Sequence, residues 1–281
     1  MAIPLRSIVA TVFAAALALV APPAAAQSTS GPAQLDTLLG RVGDYMQVFV
    51  TQLTNVVAEE QYQQRFRQAA PQRRLKSDFL LVRYPGEEHL FLAFRDVLEV
   101  DGRPVRDQQE RVLKLFTEPY QDAIRRAAEI EREGARHSIA RGRVVNPLEL
   151  MTYLQTPYQR NFTFALRGWE PSLGSDVREI EMSQAVEPGT RQVPLRGKAW
   201  VAQASGRVVK TEMLAGIGAN VRVTTTTFGR DPGLRIDVPL EMRDTFPSTA
   251  SDEFQGVARY SNFRRFTVRA EQELDLPDQS K

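Results

Sequence analysis

Hydrophobic and polar positions alternate most regularly between Gly197 and Phe246. Four runs rich in β-branched residues lie there: Lys198–Ala204, Arg207–Leu214, Val221–Phe228 and Leu234–Thr245. Ser205-Gly206, Gly216-Ile217-Gly218 and Gly229-Arg230-Asp231-Pro232-Gly233 separate them. Glycine reaches positive φ and proline pre-sets φ at about −65°, so each separator is a turn signal. The pattern predicts an antiparallel meander.

The N-terminal side has a different period. Leu35, Leu38, Leu39, Val42, Met46, Phe49, Leu53, Val56 and Val57 recur at three- and four-residue spacing, which predicts one long helix over Gln34–Arg67. Its apolar stripe has to lie on something, and no strict heptad holds, so the partner is a sheet. Leu75–Tyr84 reads as a strand stopped by Pro85-Gly86. His89–Phe94 and Asp96–Val100 are further strand candidates, with Asp101-Gly102 as a hairpin turn. Asp107 is placed to cap a helix through Phe116, and Pro119 to open a second one to about Glu133. Asn146-Pro147 opens a short helix, Leu148–Leu154. Asn161–Arg167 and Asp176–Met182 alternate as strands, and Gly256–Val268 is an aromatic-rich strand after the meander. Strands in runs, with the helices grouped, predict an α+β fold. Its curved antiparallel sheet, an unclosed β-barrel, wraps on a long N-terminal helix and carries a middle helical insertion.

The first residues change the cellular picture. Arg6 precedes an apolar run, Ile8–Ala21, and Ala24-Ala25-Ala26 supplies small residues before Gln27, the layout of a cleaved signal peptide. The run is shorter than the roughly 20 residues of a membrane span. Cleavage near Ala26 leaves 255 of the 281 residues and predicts a periplasmic or secreted protein with no transmembrane span in the mature chain. Residues 27–33 read as a disordered linker, 34–270 as a single half-barrel domain and 271–281 as a polar tail.

Composition narrows the chemistry. The chain has no cysteine, which excludes disulfides, a thiol nucleophile and thiolate metal sites, so the core alone has to hold the fold. The formal charge is +2, and +1 without Arg6, which gives no reason to expect a nucleic-acid partner. Glu87-Glu88-His89 has the residue types of a metal site but sits beside a Pro-Gly turn at a strand start, where charged residues face water, and His137 has no carboxylate at metal-ligand spacing. Ser175 and Ser205 lack the G-x-S-x-G context and read as turn residues. Gly216-Ile217-Gly218 lacks the third glycine and following helix of a dinucleotide fingerprint. Adjacent helical residues diverge by about 100°, so Glu59-Glu60 reads as a solvated helix edge. Arg264 and Arg265 point to opposite faces of a strand and form no basic stripe. The residues predict no catalytic site, no cofactor and no metal.

Segment 195–201, segment 207–212, Val221–Phe228, segment 237–242 and Gly256–Phe266 together resemble the C-terminal sheet of the periplasmic lipoprotein-localisation factors and the outer-membrane lipoprotein-sorting-like proteins. The whole mature chain is similar to a large group of uncharacterised secreted bacterial proteins related to them. Segments 77–81, 94–102 and 260–266 carry that likeness. The resemblance implies an unclosed barrel with an apolar cavity that takes up an acyl chain of a lipid or lipoprotein. Alternation nominates Phe79, Leu81, Val201, Val209, Met213, Val221 and Val223 as its lining. The alternative is a cell-envelope interaction protein on the same fold, with a filled core and a protein partner at the 107–154 insertion. Neither reading is catalytic.

Overall fold

In the computed structural model of the chain, residues 31–53, 55–68, 72–83, 91–105, 120–140, 145–184, 195–217, 220–247 and 252–265 are described. Helix α1 spans Pro32–Gln52, and β1 (Val56–Phe66), β2 (Gln72–Arg83), β3 (Phe91–Val100) and a short β4 (Arg103–Pro104) follow. Helices α2 (Tyr120–Ala135), α3 (Glu149–Tyr153) and α4 (Thr156–Gln159) form the middle insertion. The remaining strands are β5 (Phe162–Trp169), β6 (Val177–Gln184), β7 (Arg196–Ala202), β8 (Val208–Ile217), β9 (Asn220–Arg230), β10 (Asp237–Pro247) and β11 (Glu253–Arg265).

The strands make one antiparallel sheet of eleven in the order β4-β3-β2-β1-β11-β10-β9-β8-β7-β6-β5. Two runs of hairpins, β1–β4 and β5–β11, meet where the first strand pairs with the last, Tyr62 opposite Ala258. The two ends of the order do not pair with each other, so the barrel stays open. This is the α+β half-barrel expected from the sequence. The predicted meander is present as β7–β10.

The long helix has 21 residues and ends fifteen positions before the Arg67 that its periodicity suggested. It stops at Gln52, where the Leu53 N–H donates to the Phe49 carbonyl, and Asn55 takes φ 54°. Asparagine tolerates that left-handed conformation better than most residues. From Val56 the chain runs as a strand, with Val56, Ala58, Glu60, Tyr62 and Gln64 all buried. Val56 and Val57 fitted both periods, and the buried Glu60 and Gln64 broke the apolar alternation that marks a strand. At its other end the helix starts at Pro32, inside the expected linker, and a proline in the first turn gives up no hydrogen bond. The two strand candidates around Asp96 form a single strand, β3. The Asp107–Phe116 helix, the signal peptide and the tail fall outside the described residues.

The core lies between the inner face of the sheet and the helices. From α1, Leu38, Val42, Met46, Phe49, Val50 and Leu53 are buried. Phe49 meets Phe228 of β9 edge-on at 6.1 Å between ring centroids. Side chains of that size contribute about 1.5–3 kcal/mol each when buried, an upper figure since unfolded chains also bury some surface. Polar contacts fix the helix's register: Arg41 donates to the Gln203 carbonyl (2.8 Å) and the Tyr45 hydroxyl to Asp237 (3.2 Å). Helix α2 covers β3, and α3 with α4 sits between α1, β5 and β8.

Candidate functional site: the roofed inner face of the half-barrel

Cross-strand register lines up a belt of polar groups on the inner face. Ser77 of β2 stands opposite Glu60 of β1, which stands opposite Tyr260 of β11. Two rows on along the same face, past Tyr62, Gln64 faces Gly256, which faces Asp244 of β10, and Asp244 faces Thr224 of β9. Thr226 and Thr211 extend the belt towards β8. All except Gly256 are polar side chains buried in a core otherwise built of apolar residues. Buried polar groups are costly unless hydrogen-bonded.

The strongest contact in the belt is an ion pair. Arg95 of β3 grips the Glu60 carboxylate with two N–H groups, Nε to Oε2 and the second to Oε1 at 2.6 Å. Glu60 is 0% exposed and Arg95 8%. Burial disfavours the guanidinium charge, but the Glu60 carboxylate and its hydrogen bonds more than offset this and hold Arg95 above its usual pKa. The planar guanidinium lies 5.4 Å from the Tyr62 ring centroid. Burial, followed by the nearby Glu60, keeps the Tyr260 phenol well above its ordinary range. Two-pronged geometry and these neighbours are what a desolvated pair needs to hold. Arg95 also donates to the Val145 carbonyl (3.2 Å), on the segment that leads into α3, and so ties the sheet to its cover.

Two smaller clusters flank this pair. The Gln64 side-chain oxygen accepts from Ser138 Oγ (3.1 Å) and from the Ile139 N–H (3.0 Å). Beside it, a void of about 10 Å³ is lined by Tyr62, Gln64, Arg95, Glu131 and Ser138. That is near the least space a single water needs, about 10–15 Å³. On the other side Asp244, 1% exposed, accepts from Thr224 Oγ1 (3.2 Å) and lies 3.9 Å from Arg222, which in turn is 4.0 Å from Glu149 of α3. Burial raises the pKa of both Glu131 and Glu149, and Arg95 and Arg222 respectively act against it.

The cover is apolar where it touches the sheet. Leu148 and Leu154 are 0% exposed, Leu150 2% and Met151 0%. A Cβ at Gly197 of β7 would collide with Leu150, so the glycine makes room for the plug. Helices α3 and α4 have five and four residues and no side-chain cap. The Gln159 amide holds α4 through the Leu39 (3.2 Å) and Leu154 (2.8 Å) carbonyls.

The seven nominated lining residues separate in the structure. Phe79, Leu81, Val201 and Met213 lie in the core, at 0–2% exposure, packed among the protein's own side chains. Val209 is half-buried, because the β7–β8 register shifts at Trp200/Val201 and sets Val208 opposite Val201. Val221 and Val223 are also half-buried, and Thr224, Thr226 and Phe228 are the buried positions of β9. In that strand the hydroxyls face the polar belt, so hydrophobic alternation pointed to the wrong face. Arg95, Arg222 and Asp244 are not singled out by any local pattern. Glu60, expected on a solvated helix edge, is fully buried on a strand. His137 offers its backbone carbonyl to Arg73 (2.7 Å), and His89 is outside the described residues. Among the described residues no group of three His, Cys, Asp or Glu is placed to hold a metal ion, and no helix is long and apolar enough to cross a membrane.

No protein-family model matches the chain, and no curated protein does. Among solved structures, it is similar to a LolA superfamily protein from Nitrosomonas europaea, at 12% identity over 82% of this chain and 94% of that one, with a TM-score of 0.38. It is similar to a putative outer membrane lipoprotein-sorting protein domain from Vibrio parahaemolyticus, at 13% identity, 85% and 95% coverage and a TM-score of 0.40. A DUF1329 family protein from Desulfovibrio piger also matches, at 12% identity, 80% and 92% coverage and a TM-score of 0.38.

Proposed function

We propose that the chain is a non-catalytic carrier of the cell envelope. It takes up an acyl chain of a lipid or lipoprotein against the inner face of its half-barrel, in the place now filled by the α3–α4 plug. The observation that carries this reading is the construction of the plug. Leu148, Leu150, Met151 and Leu154 are delivered to the sheet by α3 and its two flanking residues, a helix too short to be stable by its own hydrogen bonds. Burial holds them in place, and an acyl chain offers burial of the same kind, about 0.8 kcal/mol per methylene. Exchanging plug for ligand is therefore close to balanced, which suits a carrier that has to release its cargo. Phe79, Leu81, Val201 and Met213 would then form the wall against which the chain lies. Export follows from residues 1–26, with Gln27 as the mature N-terminus.

The test is native mass spectrometry of the mature protein purified without detergent, with extraction of any bound lipid, and titration with a fluorescent fatty acid. A stoichiometric lipid, or saturable uptake displaced by unlabelled fatty acid, is the expected result. An empty protein that takes up no probe sinks the reading.

One observation favours a second reading. Phe49, Phe79 and Phe254 are among the largest fully buried side chains, so the interior is filled by the protein itself. On that reading the chain is an envelope interaction protein whose 107–154 insertion meets a protein partner. It predicts no lipid uptake, together with crosslinks from α2 to that partner in intact cells.

A further inference from the structure

The outer face of the sheet carries a groove of about 590 Å³ where β2, β1, β11 and β10 run side by side. Arg74, Gln63, Val257 and Arg243 line up across these four strands in one row, and Arg65 and Gln255 pair in the next. Among the described residues the groove lining includes no aspartate or glutamate. Arg65 directs both Nε (3.0 Å) and a terminal N–H (2.7 Å) at the neutral Gln255 oxygen, so no carboxylate offsets its charge there. The nearby acids are already engaged. Glu241 is shared between Arg243 (2.7 Å) and Arg259 (3.1 Å), and Glu253 accepts from the Gln255 amide (2.8 Å). Arg65, Arg74 and Arg243 are exposed; the guanidiniums of Arg65 and Arg74 meet no carboxylate among the described residues, and Arg243 shares Glu241 with Arg259.

We infer that this groove docks the protein on an anionic membrane by taking up lipid phosphodiester headgroups. Guanidinium forks match phosphate oxygens two at a time, and the Gln63 and Gln72 amides in the lining add neutral donors. Apolar Val257 in the floor suits a headgroup that still bears its glycerol and ester carbons better than a bare ion. The face is opposite the roofed interior, so docking leaves the plug uncovered. The inference stands independently of acyl-chain uptake.

Vesicle co-sedimentation tests it, with the mature protein at low salt on vesicles of phosphatidylcholine alone or mixed with phosphatidylglycerol. Binding is expected on the anionic vesicles only and is expected to fall as salt shortens the screening length. Each arginine near such a surface is worth on the order of fivefold in affinity, so R65Q/R74Q/R243Q should lose about a hundredfold. A variant that removes three exposed arginines elsewhere, R160Q/R230Q/R235Q, should bind like the wild type, and thermal melts of both confirm folding. Equal binding to neutral vesicles, an unaffected groove variant, or the same loss in the control variant each overturns the inference. So does competition by millimolar inorganic phosphate at constant ionic strength, which would make the groove a site for free phosphate.

Discussion

Without the Arg95 guanidinium, Glu60 is a fully buried carboxylate beside two phenols, and its remaining neighbours do not offset a full charge. Breaking a buried pair from one side costs about 3–5 kcal/mol, whereas replacing both partners with apolar residues is often neutral. Arg95→Leu is therefore expected to lower unfolding stability by about 3–5 kcal/mol, and Arg95→Leu with Glu60→Leu to recover most of that loss. Urea denaturation of the two single variants and the double variant measures the coupling. Additive losses would mean that the pair contributes through packing and not through charge. Such residues are hard to find in a sequence for a plain reason. A buried charge is legible only with its partner, and the partner here is 35 residues away on a strand two places along in the sheet. Local pattern assigns each half separately to the surface.

The elements whose burial follows their period were readable in advance, and those with polar groups turned inward were not. The meander β7–β10 and the stripe of α1 from Leu38 to Leu53 follow directly from apolar spacing. Strand β1 was lost to the helix because Glu60 and Gln64 occupy two of its buried positions, and β9 was turned over because its buried face is threonine. The plug α3 was visible as a short helix, but nothing in seven residues says that it fills the half-barrel. Its mobility can be tested with a bond. A Cβ built on Gly43 of α1 lies 3.5 Å from Thr156 Cβ of α4, within the span of a disulfide, about 3.5–4.5 Å. The chain has no other cysteine to mispair. Gly43→Cys/Thr156→Cys is expected to oxidise readily and to gain up to about 4–5 kcal/mol in the chain-entropy model. Oxidation should abolish fatty-acid uptake and reduction should restore it. Uptake unchanged by oxidation would show that α4 need not leave α1 for a ligand to enter.

At the scale of the whole molecule, one seam does what none of the hairpins does. Among the described residues every strand pair except one joins neighbours in sequence, while β1–β11 joins residues such as Arg65 and Gln255 that are 190 positions apart. Closing so long a loop costs entropy before the contacts form, so the seam is expected to close late in folding. Gly256 sits on it under the Tyr62 ring, where an added Cβ would lie 2.7 Å from Tyr62 Cε2. Tyr62 is only 5% exposed, and its ring lies against the Arg95 guanidinium. Gly256→Ala is thus expected to cost about 1–3 kcal/mol by overpacking, and much less in a Tyr62→Leu background. If closure of the seam limits folding, that cost appears mainly as slower refolding, with unfolding nearly unchanged. Chevron plots of the variant and the wild type decide the matter. A loss confined to the unfolding limb would mean that the two hairpin arms meet only after the barrier, and that the core under α1 organises the half-barrel first.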